Sequence, residues 1–565
     1  MTSEHFFKEA TALHQQRRLL EAEQRYREFL QSAPSHPEAL RLLGWLHLQR
    51  GQPLEAAKLL RKSLKHNPQS PAAHSNLAQA MQSLGQHVAA IPHFDYALTC
   101  TPEDSSLRKQ RFTSAWRALY AVVLQCDWQN YDRLQRIVKQ EVMAEDDTNW
   151  VVGEVILANP AFNNHLIMEL AKRHALHVTH DIKNSNFGNF AYKLPGRKLR
   201  IGYVGPDFFQ QATAYLLTGV IEAHDRKHFE IFAYDHGSSA PSPMRTRCEL
   251  AYDHMICIHD LSDDEAAQRI HADGIDILLS VSCPNKARLG IFARRPSAIQ
   301  VHYLYFPATS GMPFFDFIVA DDYIIPPEHE EFYTEKVLRL ADCYQPNDSA
   351  RPIAKDSLRL AFGISDESIV LANMGQAYKI TPDIFDVWCK LLRADPRRIL
   401  WLLSDDPIVK NNLRREATAR GVEHGRLIFA SLANTETHLA RLRCSDIILD
   451  TFPYGGHTLT SDALWAGTPV VTMNGTTFAS RVAGSLLRSV GLTKLIATTT
   501  DSYFSIADTL ARSPDERLQL RQFLDDNRHQ FDLFNSAKYA KKLEGMYVRV
   551  IQQRWKNWEF GQPVF

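Results

Sequence analysis

Along the first 195 residues the apolar positions follow a helical spacing, and after Pro195-Gly196-Arg197 the texture changes. Short apolar or β-branched runs then alternate with helix-length mixed segments. A first series of runs covers 199–204, 229–234, 255–259, 275–281, 299–305 and 317–320. A second covers 369–373, 399–403, 427–429, 447–449 and 470–473. Between them Pro346, Asn347, Asp348, Ser349 and Pro352 cluster as a break. Strands alternating with helices predict a parallel sheet covered on both faces. Two doubly wound halves in sequence leave a cleft, with ligands above the carboxyl ends of the strands.

The helical part contains an internal period. Pro37 and Pro71 lie 34 residues apart, and the segments they open superimpose. Leu40, Leu43, Gly44, Gly51, Ala56, Leu60 and Pro68 match His74, Leu77, Ala78, Gly85, Ala90, Phe94 and Pro102. One period earlier, Phe6, Ala10, Leu13, Ala22, Tyr26 and Pro34 keep most of the pattern. This resembles the tetratricopeptide repeat, in which small residues let two helices pack closely, glycine ends the first helix and proline ends the second. The expected organisation is three repeats over 1–104, a helical connector over 105–195, a first catalytic half over 196–345 and a second over 346–565 with a C-terminal helix. Stacked repeats offer a concave groove for an extended peptide, or serve only to hold the following domain.

Composition narrows the class. At 565 residues several domains are expected, and 64 basic residues balance 64 acidic ones. A net charge of zero gives no support to a nucleic-acid or anionic-membrane partner. The N-terminus lacks a basic segment followed by an apolar one, and no run approaches a membrane span. Eight scattered cysteines show no zinc-like spacing and read as buried reduced thiols, so the expected compartment is the cytoplasm.

Candidate chemistry concentrates at 449–473, LDTFPYGGHTLTSDALWAGTPVVTM. The order is a strand, a Pro-Gly-Gly loop, a helix and the next strand. Such a unit aims free N–H groups and the positive end of a helix at an anion, unless it is an ordinary strand–helix connection. Thr458, Thr460, Ser461 and Asp462 offer helix-capping oxygens, and His457 a further donor. Lys379 lies at another strand end, just before a helix start marked by Thr381 and Pro382. His438 and Arg441 are spaced to share a helix face. A lysine, a helix N-terminus and a histidine converging on one cleft suit a diphosphate. Neither G-x-x-x-x-G-K-S/T nor G-x-G-x-x-G occurs, and the cleft stretches carry no D-x-D pair that would imply a metal.

Together Gln376-x-x-Lys379-Ile380-x-Pro382, Trp401-Leu402-Leu403, the 449–473 stretch and Ala479-Ser480-Arg481-Val482-Ala483 resemble the O-linked N-acetylglucosamine transferase family, glycosyltransferase family 41. Arg294-Arg295-Pro296-x-x-Ile299-Gln300, Pro307-x-Thr309-Ser310-Gly311 and Cys126-Asp127-Trp128 extend the resemblance, and the chain looks like the compact bacterial form. The resemblance implies a GT-B enzyme that moves GlcNAc from UDP-GlcNAc to a Ser or Thr hydroxyl of a protein, with inversion and without metal or other cofactor. It also implies that Lys379 neutralises the diphosphate beside Gln376. His457, Thr458 and the Leu459 N–H would hold phosphates, Asp462 the ribose, and Ala433, His438 and Arg441 the uracil. Gln211, Pro307 and Thr309 would face the sugar or acceptor.

Departures from the family bear on the sugar more than on the nucleotide. Gln211 replaces a histidine and cannot act as a base, and a donor phosphate oxygen can take the proton where no side-chain base is suitably placed. Leu459 and Thr435 replace a threonine and a lysine, and Ser282-Cys283-Pro284-Asn285 replaces a glycine-rich segment. Asp207-Phe208-Phe209 and Thr451-Phe452-Pro453-Tyr454 also resemble the Spindly-type fucosyltransferases, which use GDP-fucose. A repeat-bearing interaction protein with decayed catalytic halves is the alternative from another class.

Overall fold

The computed structural model describes residues 3–144, 153–180, 187, 197–237, 240–282, 287–304, 306–352 and 359–555. The expected 283–285 segment, Tyr305 and most of the turn-rich 184–188 stretch lie outside them. The chain forms two compact units, one of 1–122 with 128–149, the other of 123–127 with 150–565.

The first unit opens with three helix pairs: Ser3–Gln15 with Leu19–Ser32, Pro37–Gln49 with Pro53–His66, and Pro71–Ser83 with His87–Cys100. Pro37, Pro53 and Pro71 start their helices, where a missing N–H costs nothing. Each second helix ends two residues before Pro34, Pro68 or Pro102. The repeat's two glycines act differently. A Cβ on Gly44 would sit 2.8 Å from Leu60 Cγ, so this glycine lets paired helices approach. Gly51 and Gly85 have nothing within 4 Å but carry φ of +69° and +74°, so they serve the backbone reversal. Ala10, Leu13, Ala22, Tyr26, Leu43 and Leu46 form one buried cluster, and Leu60, Leu77, Ala78, Ala90 and Phe94 anchor the next.

The second unit holds two parallel sheets. Strands β1 (Leu199–Gly205), β2 (Phe229–Asp235), β3 (His254–Cys257), β4 (Ile277–Ser280), β5 (Ile299–His302), β6 (Phe317–Ala320) and β7 (Lys336–Arg339) pair in the order 3-2-1-4-5-6-7. Strands β8 (Ile369–Asn373), β9 (Arg398–Leu403), β10 (Leu427–Ala430), β11 (Ile447–Leu449), β12 (Val470–Met473) and β13 (Ile496–Ala497) pair in the order 10-9-8-11-12-13. Both halves are doubly wound, and the two-sheet α/β architecture is GT-B. Strands β7 and β13 lie outside the expected series. One is a partly exposed edge and the other only two residues long, so neither leaves an apolar run to read.

The C-terminal helix, Ser536–Arg554, packs on the first sheet although it follows the second in sequence. Tyr539, Ala540, Leu543, Met546, Tyr547, Val550 and Ile551 form its apolar stripe and join the core of β1, β2, β4 and β5. Within that core Tyr203 and Tyr547 share a hydroxyl–hydroxyl bond of 2.8 Å, and Tyr303 and Tyr539 one of 2.6 Å. On the second half, Ser485 donates to Asp321 at 2.6 Å and Arg481 to the Tyr323 carbonyl at 2.6 Å. These contacts hold the two sheets in one geometry.

The two glycine roles predict different responses to substitution. Gly44→Val should lower the unfolding free energy by about 1–3 kcal/mol through overpacking. Gly51→Ala should cost about 1–2 kcal/mol through backbone strain alone. Urea titration of each variant by circular dichroism measures both, and a Gly44→Val variant as stable as the unsubstituted chain would contradict the packing role of Gly44.

Candidate functional site

Each sheet reverses strand order once, between β1 and β4 and between β8 and β11. Loops after these strands diverge and leave a crevice. A cavity of about 350 Å³ lies there. Met374, Gly375, Gln376, Tyr378 and Lys379 line it after β8, and Thr451, Tyr454, Gly456, His457, Thr458, Leu459 and Asp462 after β11. From the first half come Ala212, Thr213 and Leu216, together with Leu304, Tyr344 and Gln345, and from the connector Glu154.

The loop after β11 is wound around a buried carboxylate. Asp450 accepts from the Gly456 N–H at 2.5 Å, the Thr451 N–H at 2.9 Å and the Thr472 hydroxyl at 2.6 Å. Thr451 donates to the Tyr454 carbonyl at 2.7 Å and Thr381 to the Phe452 carbonyl at 3.0 Å. A Cβ on Gly455 would meet Asp450 Oδ2 at 2.9 Å, and one on Gly456 would meet Thr460 Oγ1 at 2.9 Å and Asp450 Oδ1 at 3.1 Å. The Gly-Gly pair is therefore required by close approach.

The helix that follows, Thr458–Trp465, has His457 as its N-cap and no side chain capping it. The oxygens expected to cap it fall inside the helix, because it begins at Thr458. Ser461 instead donates back to the Thr458 carbonyl at 3.0 Å, and among the described residues the buried Thr460 hydroxyl has no partner. The first-turn N–H groups thus remain for an anion.

Lys379 closes this pole. Its Nζ donates to the Gly455 carbonyl at 3.0 Å and lies 3.7 Å from the Tyr454 ring centroid. Burial brings the ammonium down to about 8, while Asp450 and Glu154 favour its charged form. Burial also raises the Asp450 carboxyl to about 6 against its hydrogen bonds and Lys379. His457 is pushed down to about 3 by burial and by Lys379, so its ring is neutral. Its Nε2 lies 3.3 Å from the Ala479 carbonyl oxygen and is the protonated nitrogen there. The ring donor expected for a phosphate is therefore already engaged, which leaves the backbone N–H groups.

Asp462 is held by a residue outside the predicted set. Arg351, with a side chain 4% exposed, pairs with Asp462 Oδ1 and donates to Asn347 Oδ1 at 3.1 Å. Its guanidinium lies 5.4 Å from the Trp465 ring and 5.5 Å from the Phe534 ring. Asp462 Oδ2 lies 3.5 Å from His438 Nε2. Among the motifs nothing marked Arg351, which stands in the break between halves.

Not every expected residue lines the cavity. Ala433 is exposed ahead of the helix Thr435–Cys444, and Arg441 donates to the Ser431 carbonyl at 2.5 Å. Gln211 is exposed at the N-cap of Ala212–Glu222, one residue short of the lining. Pro307 is buried, and Thr309 donates to the buried Glu335 at 2.6 Å, so its hydroxyl braces the loop. Among the described residues no three His, Cys, Asp or Glu side chains converge as metal ligands, and no helix is long and apolar enough to cross a membrane.

Comparison with known proteins agrees with this architecture. The model of glycosyl transferase family 41 matches residues 125–355 and 350–543, and a tetratricopeptide repeat model matches 7–63 and 43–105. The Arabidopsis thaliana protein named probable UDP-N-acetylglucosamine–peptide N-acetylglucosaminyltransferase SEC is 32% identical over 68% of this chain and 41% of its own length. A Caenorhabditis elegans UDP-N-acetylglucosamine–peptide N-acetylglucosaminyltransferase is 26% identical over 78% of this chain and 48% of its own. The chain thus spans less than half the length of these relatives. A lysine-to-methionine mutant of the Thermobaculum terrenum O-GlcNAc transferase superposes with a TM-score of 0.65, at 28% identity and over 98% of both chains. The chain belongs to glycosyl transferase family 41.

Proposed function

We propose that the chain is an inverting, metal-independent protein O-glycosyltransferase that passes GlcNAc from UDP-GlcNAc to Ser or Thr hydroxyls. The observation that carries this reading is Lys379 Nζ 3.0 Å from the Gly455 carbonyl, beside the uncapped N-terminus of Thr458–Trp465. A cation and a set of backbone donors at one point suit the diphosphate leaving group. Cleavage of the sugar–phosphate bond builds negative charge on UDP, so these donors act mostly in the transition state. Gln376 stands beside the lysine, and Thr458 and Leu459 supply N–H groups. Asp462, held by Arg351, is oriented to accept from ribose hydroxyls. His438, at 3.5 Å from it, stands on the nucleoside side, and the segment that carries it, with Ala433 and Arg441, is the proposed base site. The relatives' printed names support the donor and a protein acceptor, and the repeat unit supplies a surface for an extended acceptor.

Mass spectrometry of lysate proteins after incubation with UDP-GlcNAc or GDP-fucose tests the reading. The expected result is a GlcNAc mass shift on Ser or Thr with the first donor only. A fucose shift would select the Spindly-type alternative, and no shift with either donor would select the decayed interaction protein. Lys379→Met should lower transfer by about 10²–10³-fold.

The titration of Lys379 gives a second prediction. With the free ammonium lowered to about 8, the chain above that pH must take up a proton to bind UDP in its favoured charged form. UDP affinity should be flat with pH below about 8 and fall by up to about tenfold per pH unit above it. Calorimetry over pH 6.5 to 9.5 in buffers of different ionisation enthalpy measures this, and Lys379→Met should abolish the proton uptake.

A further inference from the structure

Glu154 puts a carboxylate in the wall of a cavity that otherwise suits an anion. It opens the short turn Glu154–Leu157, in which Val155, Ile156 and Leu157 are 3%, 4% and 2% exposed. Burial of those three apolar side chains leaves the half-buried Glu154 as the one residue of the turn facing the cavity. Its charge acts on Lys379, favouring the ammonium. Among the described residues its carboxylate has no ion pair or hydrogen bond.

A fixed negative charge beside a diphosphate opposes ground-state binding. It is useful where a proton must be accepted. Most other polar groups in or near the cavity are engaged elsewhere. Lys379 is a cation at neutral pH, and burial has pushed the His457 imidazole down to about 3. Asp462 is paired with Arg351, and His438 lies 3.5 Å from Asp462 on the nucleoside side, away from the sugar. Asp450 lies under the loop with three donors on it. Gln211 cannot take a proton at all.

We infer that Glu154 is the general base for the acceptor hydroxyl, an inference that rests on the glycosyltransferase reading above. The acceptor O–H bond breaks with its proton passing to a Glu154 carboxylate oxygen. The acceptor oxygen forms its bond to the anomeric carbon, and the carbon–phosphate oxygen bond breaks with its electron pair leaving on UDP beside Lys379. Inversion requires the base to act from the face of the reacting carbon opposite the departing UDP.

The test uses the full chain with Glu154→Gln, Glu154→Asp and Glu154→Ala. Single-turnover transfer is measured from UDP-GlcNAc to a serine-containing peptide that the unsubstituted chain modifies, with UDP affinity measured by calorimetry. The base role predicts that Glu154→Gln loses about 10²–10⁴-fold in kcat, keeps or tightens UDP binding, and is partly restored by the aspartate variant. Added formate should restore transfer to Glu154→Ala. Transfer by Glu154→Gln within threefold of the unsubstituted chain would overturn the inference in favour of a donor phosphate oxygen. Parallel loss of UDP affinity and transfer would overturn it in favour of a role in holding the connector turn. If the unsubstituted chain modifies no peptide with either UDP-GlcNAc or GDP-fucose, the glycosyltransferase reading fails and the inference fails with it.

Discussion

The buried carboxylate of Asp450 is the constraint on which the site depends. With hydrogen bonds from two backbone N–H groups and one hydroxyl, it fixes the turn from β11 into the helix Thr458–Trp465. The turn must pass so close to this carboxylate that positions 455 and 456 have no room for a side chain. Its ionised form costs desolvation, which the three donors and the nearby ammonium of Lys379 offset only in part. One interaction therefore sets both the direction of the free helix N–H groups and the height of the lysine above them.

The remainder of the second unit keeps that pole facing its counterpart. The C-terminal helix returns to the first sheet, and its tyrosine hydroxyl pairs tie it to β1 and the end of β5. Arg351 plays a comparable part for Asp462, filling the space between two aromatic rings while bonding one carboxylate oxygen. Neither group lines the cavity. Both determine where a ligand-facing group stands.

Local signals made much of this legible in the sequence. Apolar runs located eleven of the thirteen strands, the 34-residue period located the helix pairs, and Pro382 after Thr381 located the helix beyond Lys379. Lys379 and His457 were readable because each follows a buried strand. That β8 and β11 are neighbours was not readable from spacing, since it follows from crossovers packing on opposite faces of the sheet. Asp450, Arg351 and Glu154 escaped for the same reason. Each takes its role from contacts with segments distant in the chain, and none sits in a pattern that periodicity can detect. The free helix start was readable, but its threonine and serine oxygens were read as caps, because one residue of difference in the helix start places them inside it.

Hydrogen exchange of backbone amides with and without UDP tests the central claim most directly. If the helix start and the lysine loop form the diphosphate site, saturating UDP should slow exchange at 456–460 and at 375–379, and at 433–441 on the nucleoside side, with little change elsewhere in the second half. Protection confined to other segments, or none at saturating UDP, would contradict the account.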